Sequence, residues 1–91
     1  MERLHMIVHG RVQGVGFRYH TRLQATQLGL AGYVRNLPNG TVEIMAEGAR
    51  QLLEQLMEWA KEGPPAAAVT QLEPTYSDAS GEFSDFLIQR S

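Results

Sequence analysis

Cysteine is absent from the 91-residue chain. That excludes disulfides, thiolate zinc sites and cysteine nucleophiles together, and it points to a reducing, cytoplasmic setting in which the core alone holds the fold. Lysine is nearly absent as well: Lys61 is the only one, and the other seven basic groups are arginines spread singly along the chain. A polyanion-binding tract normally shows a clustered basic run, so nucleic acid is not the expected partner. Long apolar runs are missing near the start, where only Met6, Ile7 and Val8 follow one another. A membrane span needs about 20 such residues, and a signal peptide a longer apolar centre, so no membrane partner is expected. Four prolines and nine glycines are too few for a collagen-like or low-complexity segment.

What is present is an ordinary globular composition, 43% hydrophobic and 20% charged. Ninety-one residues fall just under the usual domain size of roughly 100 to 150, so one domain covering residues 1–91 is expected, with its site on that single scaffold. The formal net charge is −2, but it is unevenly placed: residues 1–40 hold five arginines against Glu2 alone, and residues 41–91 hold three basic against nine acidic groups. A compact anion suits the basic first half better than a polyanion does.

Hydrophobic periodicity predicts alternating strands and helices. Arg3 to His9 alternates Leu4, Met6 and Val8 against His5, Ile7 and His9, a strand. Gly10 to Gly16 is a loop, and Phe17 to Leu28 a helix closed by Gly29, with a thin stripe of Phe17, Thr21, Ala25 and Leu28. Leu30 to Asn36 and Thr41 to Glu47 read as strands joined by Leu37-Pro38-Asn39-Gly40, a short antiparallel hairpin connection. The second helix is the clearest: Ala49, Leu52, Leu53, Leu56, Met57 and Ala60 recur on one face until Gly63-Pro64-Pro65 ends it. Val69 to Glu73 and Phe83 to Arg90 read as two closing strands. The order is strand, helix, strand, strand, helix, strand, with one further C-terminal strand. Crossover rules then put both helices on one face of a mixed or antiparallel sheet, the ferredoxin-like α+β sandwich. This fold alone does not specify a function.

The chemistry sits where glycines meet the first helix. In Gly10-Arg11-Val12-Gln13-Gly14-Val15-Gly16-Phe17-Arg18 the loop N–H groups and the helix N-terminus present partial positive charge, and Arg18 in the first turn can give two parallel hydrogen bonds to a phosphate. Glycines alone are more readily a plain tight turn beside a surface arginine, by roughly two to one. Other phosphate motifs fail here: a dinucleotide fingerprint needs glycine at Tyr19, and a Walker loop needs Gly-Lys-Ser/Thr. Asn36, at the end of its strand, reads on its own as a turn cap. If the strand after the first helix lies beside the first strand, Asn36 comes near the loop at Gln13 to Arg18, and the two motifs share a site.

Other polar residues carry less. His5 and His9 share a strand face but lack a third ligand at a recognisable spacing, so no metal is expected. His20 faces away from Arg18 on the helix and reads as a hydrogen-bonding residue, and Trp59 as packing. The set Glu47, Glu54, Glu58 and Glu62 reads as the solvated side of the second helix. No Ser-His-Asp arrangement is present.

These motifs together resemble the acylphosphatase family. The resemblance is carried by Gly10-x-Val12-Gln13-Gly14-Val15-x-Phe17-Arg18, then by Gly32-Tyr33-Val34-Arg35-Asn36-x-x-x-Gly40-x-Val42 and Gly48. Gly63-Pro64-Pro65-x-Ala67-x-Val69 and Phe86-x-Ile88 extend it over nearly the whole chain, and Leu37 stands where some members carry Thr.

The resemblance implies hydrolysis of the carboxyl-phosphate anhydride of an acyl phosphate, with inorganic phosphate as product, no cofactor and no metal. It implies a phosphate cradle from the N–H groups of Gln13, Gly14, Val15, Gly16 and Phe17, with Arg18 stabilising the phosphoryl charge. Asn36 is implied to place the attacking water, contributing orientation, since an amide is no base. The leaving carboxylate has an acid pKa of about 4 and needs no general acid. The water proton then goes to the substrate's own phosphate oxygen, for which a rate flat in pH is expected. Two other classes stay open on sequence: a non-catalytic phosphate- or nucleic-acid-binding module on the same fold, and an accessory domain of a larger carbamoyl-phosphate-handling assembly. A monomer is expected.

Overall fold

The computed structural model describes residues 1–90. Its elements are β1 (Glu2–Arg11), α1 (Phe17–Gln27), β2 (Ala31–Asn36), β3 (Val42–Gly48), α2 (Arg50–Ala60), β4 (Ala68–Asp78) and β5 (Phe86–Ile88). The five strands form one sheet in the order β4-β1-β3-β2-β5, antiparallel except where β5 joins β2 in parallel. This is the expected two-helix sandwich on a mixed sheet.

The alternation in β1 does what period two requires: Leu4, Met6 and Val8 are fully buried, while His5 and Ile7 lie on the other face. Val34 of β2, with Val42, Ile44 and Ala46 of β3, extends the same apolar floor. Phe17, Thr21 and Ala25 of α1 and Leu53, Leu56 and Ala60 of α2 close over it. The thin stripe of α1 is enough because Thr21 satisfies its hydroxyl internally, donating to Phe17 O at 2.7 Å. Burying Leu53 and Leu56 contributes about 1.5–3 kcal/mol each.

One expectation about the sheet is corrected. β2 does not lie beside β1; β3 stands between them. As the hairpin partner of β2, β3 pairs antiparallel with strands on both sides, while the α1 crossover skips one position. β1 and β2 therefore point the same way, and so does β5. Their C-terminal ends lie at one end of the sheet, so the site is assembled across a gap instead of between neighbours.

Two boundaries also shift. β4 runs through Asp78, well past Glu73, because an edge strand needs no apolar alternation; Pro74 is tolerated there since an edge position leaves its missing N–H without consequence. β5 covers only Phe86–Ile88, the three residues that pair with β2, and the loop before it is bound by Glu47 at Ser80 and Gly81.

Glu47 is the second correction. It belongs to β3 and is 7% exposed, not part of a solvated helix face. Its carboxylate accepts hydrogen bonds from the Ser80 N–H (2.8 Å), the Gly81 N–H (3.0 Å) and the Ser80 hydroxyl (3.0 Å), and it pairs with Arg3 Nε at 2.8 Å. Burial pushes this carboxyl up, but the donors outweigh it and hold its pKa at about 2. Glu54, Glu58 and Glu62 are exposed as expected.

Candidate active site

At that end of the sheet lies a depression of about 480 Å³ between the β1–α1 loop, the end of β2 and the end of β5. Gly14, Gly16, Phe17, Arg18 and Asn36 line it, together with Val12, Tyr19, Ile88 and Arg90. Five of the seven residues expected at the site thus meet in one place.

The local sequence accounts for the cradle. Gly14 and Gly16 sit at φ +74° and +78°, left-handed backbone that other L residues adopt at a cost of roughly 1–2 kcal/mol. Gly16 is also the N-cap of α1, and no side chain caps that helix end. The first helical bond runs from His20 N–H to Gly16 O at 3.0 Å. The N–H groups of Gln13, Gly14, Val15 and Gly16 find no acceptor among the described residues, which leaves a row of donors beside an uncapped helix terminus. Such an array fits an anion.

Phe17 anchors this arrangement. It is 1% exposed, packs on Trp59 with ring centroids 5.4 Å apart, and sits where any side chain at position 63 would come within 2.5 Å. With Phe17 pinned beneath α2, the next residue, Arg18, is delivered to the depression from the first turn. Trp59 therefore serves packing, as its place in α2 suggested.

Gln13 and Val15 do not line the depression with their side chains. Val15 packs against the core. The Gln13 amide instead donates to Leu37 O at 2.8 Å and Thr41 O at 2.9 Å. It thereby clasps the loop to the hairpin that follows Asn36. This use was not visible in the sequence, because it depends on β1 and β2 finishing at the same end of the sheet. The variation at Leu37 leaves the clasp intact, since only the main-chain carbonyl of that residue takes part.

Asn36 is not the turn cap. That task falls to Asn39, whose Oδ1 accepts from the Thr41 N–H (3.1 Å) and the Thr41 hydroxyl (2.6 Å). Asn36 Oδ1 is buried and has no hydrogen-bond partner among the described residues. An orphaned polar group of this kind costs about 1–3 kcal/mol; Tyr76 Oη is the other one among the described residues, but only Asn36 lines the depression.

His20 turns its Nδ1 to Gly16 O at 3.1 Å and does not line the depression. His5 and His9 meet Glu43 and Glu73 respectively, both at 2.8 Å, on the sheet face away from the helices. Among the described residues no group of three or more His, Asp or Glu is placed to hold a metal ion. Arg90 was missed by sequence reasoning. The only available signal was its position two residues after Phe86-x-Ile88, which says nothing until β5 is paired with β2.

Comparison with known proteins agrees with this geometry. The family model described as acylphosphatase matches residues 4–88. The chain is 52% identical over 87 residues to an acylphosphatase of Acaryochloris marina, covering 96% of this chain and 92% of the relative. It is 46% identical over 90 residues to that of Methylococcus capsulatus, covering 99% and 98%. The crystal structure of acylphosphatase from Bacillus subtilis superposes with a TM-score of 0.94 at 42% identity, covering 98% of this chain and 99% of that one.

Proposed function

The chain belongs to the acylphosphatase family, and from that premise we propose that the depression beside α1 is where it acts, with residues 1–91 forming one domain around it. It is a hydrolase of acyl phosphates: the bond between phosphorus and the acyl oxygen breaks, a bond from water to phosphorus forms, and a carboxylate and inorganic phosphate leave. The N–H groups of Gln13 to Phe17 hold the phosphoryl oxygens, and Arg18 binds them bidentately as charge spreads in a loose transition state. Asn36 orients the water in line with phosphorus.

The observation that carries this reading is Asn36 Oδ1, buried and unpartnered at the rim of a cradle whose own N–H groups are also unpartnered. Both sets of groups gain partners at once when a phosphoryl group and a water enter. No described carboxylate or histidine lines the depression, so a phosphoryl oxygen of the substrate takes the water proton. A dianionic acyl phosphate plus water then gives a carboxylate and monoanionic dihydrogen phosphate, and atoms and charge balance.

We place the protein in the cytoplasm as a monomer without a nucleic-acid partner. Support comes from the lack of cysteine and from the outer sheet face, where Arg3 pairs with Glu47 and Arg35 with Glu43, and His5 shares a hydrogen bond with Glu43. Tyr33 on that face is engaged by Phe83 at 5.9 Å between ring centroids, which leaves it poorly placed to stack a base. No described helix is long and apolar enough to cross a membrane.

The test is hydrolysis of benzoyl phosphate in EDTA by the chain and by Arg18→Gln and Asn36→Ala variants with unchanged circular dichroism. Removing one preorganised charged donor costs about 3–4 kcal/mol, so Arg18→Gln is expected to lose two to three decades of rate and to bind phosphate weakly. Asn36→Ala is expected to lose kcat while phosphate still binds. A chain that binds phosphate through Arg18 but turns nothing over would overturn the assignment.

A further inference from the structure

The depression that holds Arg18 and Asn36 contains a second cation. Its lining includes Arg18 and Arg90 and no carboxylate. Arg3, Arg35, Arg50 and Lys61 each pair with a glutamate, whereas Arg11, Arg18, Arg22 and Arg90 meet no acidic partner among the described residues, and of these four Arg18 and Arg90 line the depression. Two arginines without counter-charges, converging on one depression, repel each other unless an anion lies between them.

Main-chain pairing sets the place of Arg90. In the parallel ladder Val34 stands opposite Ile88, and the Gln89 N–H donates to Val34 O at 2.9 Å. The strands run the same way, so Asn36 lies two residues beyond Val34 and Arg90 two residues beyond Ile88. One guanidinium thus reaches the site from the first turn of α1 and the other from the sheet edge next to the amide of Asn36.

The charge of the ligand calls for both. A phosphate ester or anhydride with a second pKa of about 6 is a dianion at neutral pH. The cradle N–H groups are dipoles, and Arg18 brings a single positive charge. In a loose transition state the negative charge stays on the peripheral phosphoryl oxygens, where fixed cations are most effective. We propose that Arg90 is a second catalytic cation, bound to a phosphoryl oxygen of the acyl phosphate and of the phosphate product; this rests on the depression being the acyl phosphate site.

Isothermal titration with inorganic phosphate, alongside kinetics on benzoyl phosphate and succinyl phosphate at low ionic strength, tests it with the full chain and its Arg90→Gln and Arg90→Lys variants. Arg90 is exposed, and circular dichroism checks that both variants fold. In Arg90→Gln the phosphate Kd is expected to rise about tenfold, and kcat/KM to fall by about one to two decades equally for both substrates. Arg90→Lys is expected to recover most of both losses. A loss confined to succinyl phosphate would assign Arg90 to the acyl end and overturn the proposal, as would a variant with unchanged Kd and rate. A wild-type chain that neither binds phosphate nor hydrolyses benzoyl phosphate removes the underlying reading as well. An active wild type with an indifferent Arg90→Gln removes this proposal alone.

Discussion

At the scale of single residues, the proposed site divides into groups that line the depression and one that holds the others in register. Gln13 is the holder, since its two hydrogen bonds at 2.8 and 2.9 Å tie the cradle loop to the turn after Asn36. Replacing Gln13 by Met removes both donors and leaves every cradle N–H in place. Each bond is worth about 1 kcal/mol, so the variant is expected to fold and to lose a little stability. With the hairpin released, Asn36 drifts from the attack line, and kcat is expected to fall on the order of tenfold while the inhibition constant of phosphate stays within about twofold. Steady-state kinetics with phosphate as competitive inhibitor separates the two, and an equal loss in both would make Gln13 a mere part of the cradle. Two motifs that resemble the acylphosphatase pattern grouped Gln13, Arg18 and Asn36 as one expected site. The residues alone did not reveal that the Gln13 side chain turns to the Leu37 and Thr41 carbonyls, nor that Arg90 lines the depression, because both depend on which strand ends meet at one end of the sheet.

At the scale of elements, legibility followed the strength of the periodic signal. α2 was read closely because its apolar stripe is wide, and the buried positions Leu53, Leu56 and Ala60 fall on it. β4 was read too short because between Glu73 and Asp78 only Tyr76 packs on the core, and one apolar position gives no alternation to read. Glu47 was misplaced for a related reason. A carboxylate on a strand looks like a surface residue until a distant loop supplies its donors, and Ser80 and Gly81 lie more than thirty positions away. That clamp connects β3 to the loop leading into β5, and it makes stability depend on acidity. The Glu47 pKa falls from an ordinary 4.5 to about 2 in the folded chain. The stabilisation is therefore present above the unfolded value and is lost as pH falls from about 4.5 through about 2. A shift of this size corresponds to on the order of 3 kcal/mol. Urea unfolding of Glu47→Gln is expected to show lower stability at pH 7 and a flatter decline between pH 5 and 2 than the unsubstituted chain; parallel curves would place the acid sensitivity elsewhere.

At the scale of the whole molecule, a short chain has turned one layer of helices and one sheet into a single buried cluster. The Cα radius of gyration is 11.7 Å. A compact chain of this length is expected at about 12 Å, so little of it extends away from the body. Small-angle scattering at micromolar concentration is expected to give a radius close to 12 to 13 Å, independent of concentration. A value that grows with concentration would show self-association through the outer sheet face. The fold class was legible at this scale, since element order and crossover rules leave few sheets to choose from. The interior position of β3 was not, because order along the chain does not state order across the sheet.

The cradle also has a consequence for heredity. Its donors are peptide N–H groups, and four of them, from Gln13 to Gly16, are left unpaired by the protein. A peptide N–H is common to every residue but proline, so among single replacements only proline erases one donor outright, and an apolar side chain that still packs on the core at Val15 leaves what its N–H presents unaltered. Other damage to the cradle comes through its path, at Gly14 and Gly16, where the backbone is left-handed, and damage to the rest of the proposed site through the few side chains that line the depression. The chain thus offers random mutation a small target, with much of its apparatus written into the course of the backbone.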